Sequence, residues 1–91
     1  MDYKRYHNEC LRMQQRMRDW LDLPTHSEAR ELEQAFQQLE DDVQVQKNVH
    51  SIRDRLKRID SLLNSIDEAV MSHGHVDELQ DWVRDSLQKI R

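Results

Sequence analysis

The chain has 91 residues, 36% hydrophobic and 35% charged, with one glycine, one proline and one cysteine. That length holds one domain, residues 1–91, and so few turn formers exclude a strand-rich fold, because reversing strands takes Gly, Pro, Asn or Asp at set places. A net charge of −4, the lone Cys10 and the lack of any long apolar run exclude a uniformly basic nucleic-acid binder, an internal disulfide and a membrane span.

Tyr3, Tyr6, Cys10, Met13, Met17 and Trp20 recur at steps of three and four, which places them on one face of a helix. Pro24 stops the pattern, since the residue before a proline is driven away from helical angles, so the first helix is expected over 2–22. Thr25 and Glu28 then have the spacing of a capping box, and Glu28, Glu31 and Glu33 suit a helix start electrostatically. Leu32, Phe36, Leu39 and Val43 follow at helical spacing and give a second helix over 27–44.

A longer seam runs through Val49, Ile52, Leu56, Ile59, Leu63, Ile66 and Val70. At about 100° per residue this seam and the one before it point roughly opposite ways. A straight helix would bury opposite sides in its two halves. Either the chain breaks near 44–48, with Asn48 capping a third helix over 48–72, or one long helix carries both seams. Asp41, Asp42, Val43, Val45 and Asn48 are poor helix formers and favour the break. Gly74 suits a left-handed helix end, and Val76, Leu79, Val83, Leu87 and Ile90 mark a last helix over 76–90.

These elements predict an all-α protein, an antiparallel bundle of three or four amphipathic helices with coiled-coil spacing. The mean hydropathy of −1.03 leaves a small domain little apolar surface to bury alone. Self-association is therefore expected, most simply as a two-fold dimer.

Motifs of chemistry are few. His7 and Cys10 share a helix face, but zinc needs four ligands, or three and water, and Cys10 lies on the apolar seam, where a thiol packs as a small hydrophobe. His73-Gly74-His75 reads as a solvated interhelix turn. With no glycine loop for phosphate, no nucleophile elbow and no H-E-x-x-H pair, the chain is not expected to be an enzyme or to bind a metal or cofactor.

Arg53, Arg55, Lys57 and Arg58 form the densest basic cluster, diluted by Asp54 and Asp60, and Arg12, Arg16 and Arg18 form another. Leu11, Leu21, Leu62 and Trp82 lie beside the main seams and widen the apolar stripes. The candidate interaction surface is accordingly Leu11, Leu21, Leu62, Trp82, Arg53, Arg55, Lys57 and Arg58. The expected function is a non-enzymatic protein–protein interaction or assembly module: an adaptor, a chaperone-like protein or a regulatory binding protein. The alternative is a small regulatory protein that contacts nucleic acid through the basic helix faces. The N-terminus lacks the apolar core of a signal peptide, and the cytoplasm, or the nucleus in a eukaryote, is the expected compartment.

Overall fold

The computed structural model describes residues 1–90, in which four helices pack around one hydrophobic core. They are α1 (Tyr3–Asp19), α2 (Ser27–Gln44), α3 (Val49–Ser65) and α4 (His73–Lys89), with no strand among the described residues. The conflict between the two central seams is thus resolved by a turn, giving four helices and no long central one.

Three of the four helices start where the sequence offers a side-chain acceptor for an orphan amide, while Ser72, before α4, makes no such bond. The Asp2 carboxylate accepts from the Arg5 N–H at 3.1 Å and the Asn48 side chain from the Ser51 N–H at 3.0 Å. The start of α2 differs from the capping box expected at Thr25. Thr25 sits in a turn closed by the His26 N–H on the Leu23 carbonyl, 3.0 Å. The cap falls one residue later, where His26 Nδ1 accepts from the Glu28 N–H at 3.1 Å.

The turn between α2 and α3 is short and strained. Gln46 has φ of 57°, the left-handed region that glycine enters without a steric cost. Its N–H donates to the Val43 carbonyl at 3.1 Å and the Lys47 N–H donates to the Asp42 carbonyl at 2.9 Å. That pair of bonds is the Schellman arrangement, made here with glutamine where glycine is usual.

Three expected boundaries shift, one of them the start of α4, which lies at His73 rather than 76. α1 ends at Asp19 rather than 22: the next residues peel off, and the Asp22 N–H reaches the Val70 carbonyl at 2.8 Å. α3 ends at Ser65 rather than 72, because Ile66 turns to an extended conformation and Asp67 organises the connection. The Asp67 carboxylate accepts from the Ala69 N–H at 2.8 Å, while its carbonyl accepts from Val70 and Met71. Val70 and Met71 are fully buried from this loop rather than from a helix. Gly74 consequently lies in the first turn of α4 and does not end α3. It has no positive φ, and a Cβ there would meet nothing within 4 Å.

The core takes one face from every helix: Met13 and Met17; Leu32, Phe36, Leu39 and Val43; Ile52, Leu56, Ile59 and Leu63; Leu79 and Val83. Burying each such side chain stabilises by about 1.5–3 kcal/mol. Cross-helix partners show the order of packing. Going up α1, Tyr3, His7, Gln14 and Arg18 meet Lys47, Glu40, Gln37 and Glu33 in descending order. Arg53, Asp60 and Asn64 of α3 likewise meet Leu87, Arg84 and Gln80 in descending order.

Ile59 is fully buried while its neighbour Arg58 is exposed. Ile59→Asp should therefore lower denaturant stability by several kcal/mol out of the ~5–15 that hold a domain, and Arg58→Ala should shift it by about 0.5 kcal/mol or less. Gln46→Gly and Gly74→Ala each place the residue that the local backbone favours. Each is expected to raise stability by roughly 0.5–1 kcal/mol, read as a higher urea midpoint.

Candidate functional site

Four seams join the helices, and three of them are closed by specific polar pairs. Between α1 and α2, His7 Nε2 lies 2.6 Å from Glu40 Oε1, while Gln37 Nε2 donates to Glu40 Oε2 at 2.7 Å. Gln37 in turn accepts from Gln14 Nε2 at 3.1 Å. Glu40 and Gln14 are both buried, so this chain satisfies groups that would be costly to bury alone. Tyr3 Oη donates to the Lys47 carbonyl at 2.7 Å and Arg18 Nε reaches Glu33 at 3.7 Å.

Between α2 and α3, buried Asp42 accepts from Arg55 Nε at 2.9 Å and lies 3.3 Å from Lys47 Nζ. Burial alone would raise the Asp42 pKa, but the two cations outweigh it and hold the carboxyl below its usual range. Arg55 also donates to Gln38 Oε1 at 3.1 Å. Between α3 and α4, Arg53 donates to the Leu87 and Ile90 carbonyls, at the C-terminus of α4, where a cation meets orphan acceptors and the negative end of the helix dipole. Gln80 Nε2 donates to Asn64 Oδ1 at 2.6 Å, and Arg84 lies 3.4 Å from Asp60.

The seam between α1 and α4 is built differently. Its inner part is aromatic: Trp82 stacks near Tyr6 and Phe36, with ring centroids 5.9 and 6.4 Å away, and its indole N–H donates to Glu9 at 3.0 Å. At one end Trp20 stacks on His75, centroids 4.3 Å apart and rings 2° from parallel. Outside this aromatic layer the helices part. An open groove of about 420 Å³ runs between them, lined by Arg12, Met13, Arg16, Glu78, Asp81 and Trp82. The four charged residues are exposed, and none belongs to an ion pair.

The eight residues singled out from the sequence do not form one patch. Leu21 is buried after α1 and Leu62 is part-buried at the edge of the core. Arg53 and Arg55 are committed to the bonds just described. Lys57 and Arg58 are exposed on α3, and Arg58 borders an open cleft of about 410 Å³ with Asp42, Lys47, Asp54 and Arg55. Leu11 is exposed on the flank of α1 that carries His7 and Arg18 towards α2. Of the eight, Trp82 is the one that lines the α1–α4 groove. The sequence marks Arg12 and Arg16 as basic and Glu78 only as a neighbour of the His73-Gly74-His75 segment, and it does not mark Asp81. The signal for Glu78 and Asp81 was position: on a helical wheel both fall beside Trp82, off the apolar stripe.

Cys10 is buried on the core side of α1, and burial pushes its thiol up to about 12, so little nucleophilic thiolate forms there at neutral pH. Burial likewise raises the pKa of the Tyr6 hydroxyl and so disfavours its ionisation. Among the described residues no group of three or more His, Cys, Asp and Glu side chains is placed to hold a metal ion, and no helix is long and apolar enough to cross a membrane. Comparison with known families, curated proteins and solved structures finds no match.

Because the folded Asp42 pKa is lowered, its contribution to stability is complete above the ordinary carboxylate range near pH 4 and is lost as pH falls through the lower folded value. Asp42→Asn should flatten the acid limb of the stability–pH profile below about pH 4. Arg55→Ala should cost roughly 1–3 kcal/mol at pH 7 and lose more of that cost the further pH falls below 4, both measured by urea unfolding.

Proposed function

We propose that this chain is a non-enzymatic protein–protein interaction module, an antiparallel four-helix bundle that acts by presenting a helix surface to another protein chain. The groove between α1 and α4 carries the reading. The other three seams are closed by polar pairs between the helices that form them, whereas here Arg12, Arg16, Glu78 and Asp81 stand along an open groove without ion partners. A surface with both signs of charge around an aromatic residue has the anatomy of a recognition site: a large, part-buried ring at the centre and a polar rim that fixes orientation.

Nucleic acid fits this surface poorly. A polyanion drawn to Arg12 and Arg16 would meet Glu78 and Asp81 on the facing wall, and phosphate recognition rests on a field of one sign. The α3 cluster offers no stronger field, since Arg53 and Arg55 already serve carbonyls and Asp42. A cytosolic or nuclear setting accords with a free, buried Cys10.

The reading is tested by immobilising the full chain and exposing it to nuclease-treated native extract. A discrete protein, either another copy or a different chain, should be retained, and Arg12→Gln with Arg16→Gln should release it. Retention of nucleic acid alone from untreated extract, with no protein held, overturns the reading.

A further inference from the structure

We infer that the occupant of the α1–α4 groove is a second copy of this chain, related to the first by a two-fold axis running along the groove. This rests on the interaction-module reading and gives its partner. The argument begins with how the charges are divided. Arg12 and Arg16, one turn apart, form the α1 wall, and Glu78 and Asp81 form the α4 wall at the same level. All four are exposed, and none makes an ion pair. The opposite flanks of the same helices do otherwise, with Arg18 paired to Glu33 and Arg84 to Asp60.

A groove with one basic and one acidic wall is complementary to itself, provided the copy is turned the right way. A closed two-fold contact uses the same patch twice. If the axis runs along the groove, rotation exchanges left and right while preserving level. The arginine wall of each copy then covers the acidic wall of the other, and every attraction occurs twice. An axis across the groove would set arginine over arginine and acid over acid. The charges therefore fix the orientation as well as the partner: α1 of each copy lies over α4 of its mate. A foreign partner of one charge sign would be attracted by one wall and repelled by the other.

The contact is modest in size. Seventeen residues of α1 at 1.5 Å each make a face roughly 25 Å long. Two helices wide, it offers on the order of 500 Å² per copy, at the small end of specific interfaces. The apolar residues that line it are Trp82 and Met13. Charge supplies much of the complementarity, so the dimer should be reversible and sensitive to salt.

Sedimentation equilibrium of the full chain decides the matter. Wild type should approach twice its 11.1 kDa mass in dilute buffer and shift towards the monomer as salt is raised. Arg12→Glu with Arg16→Glu, and separately Glu78→Arg with Asp81→Arg, should each weaken self-association more than tenfold. An equimolar mixture of the two reversed proteins should form a heterodimer, since each wall again meets its opposite, and a chain carrying all four reversals should dimerise alone. Circular dichroism checks that each variant remains folded, and Arg12→Gln with Arg16→Gln gives a milder variant should a reversal unfold the chain.

A wild-type mass of 11.1 kDa at all working concentrations overturns the inference. If a foreign protein is nevertheless captured from extract, the interaction-module reading survives. A dimer that persists unchanged through both reversals and the glutamine variant also overturns the inference, by placing self-association on another face.

Discussion

The direction in which the chain buries its apolar side chains changes between Val43 and Val49, and much of the architecture follows from that change. Six residues separate the two seams, where seven would have kept them in line. Continued as a helix, the segment would turn one set of large aliphatic residues to solvent, forfeiting about 1.5–3 kcal/mol for each. A left-handed residue costs only ~1–2 kcal/mol. The chain accordingly turns at Gln46. The turn returns α3 along α2, where Arg55 and Lys47 enclose Asp42.

The polar interior then decides which neighbours each helix may have. Interlocked aliphatic side chains tolerate some sliding, but a buried carboxylate or amide needs its partner at hydrogen-bond distance. Glu40 requires His7 and Gln37, Asp42 requires Arg55, and the C-terminal carbonyls of α4 are held by Arg53. A slip of one turn, about 5.4 Å, would break several of these at once. The charged composition that leaves the chain poor in apolar material is thus partly used inside, as a set of registers between helices.

The helices were legible because their seams repeat, and the break at 44–48 was legible because two seams disagreed. The errors came where a local turn interrupted an intact periodicity. Ile66 and Val70 continue the α3 spacing, yet the Asp67 carboxylate binds the Ala69 amide and the helix stops. Gly74 resembles a helix end only if α3 is assumed to reach it. At Thr25 a favourable capping pattern lost to His26, whose ring is rarely counted among caps. The site was harder. Arg53, Arg55, Lys57 and Arg58 look alike in sequence, and only the packing of α3 against α2 and α4 shows that two of them are spent internally while two face water. Likewise, nothing in the spacing of Arg12, Arg16, Glu78 and Asp81 reveals that two distant segments share one groove.

An imidazole can cap a helix in one tautomer only. Nδ1 must keep its lone pair to hold the Glu28 amide, and the ring hydrogen then sits on Nε2. The start of α2 thus selects one of the two forms a neutral imidazole can take, whereas α3 begins at the Asn48 carboxamide oxygen, which accepts in its only form. The two caps therefore differ in kind: the carboxamide fixes the amide it holds, and the imidazole has its own hydrogen placed by the helix it starts.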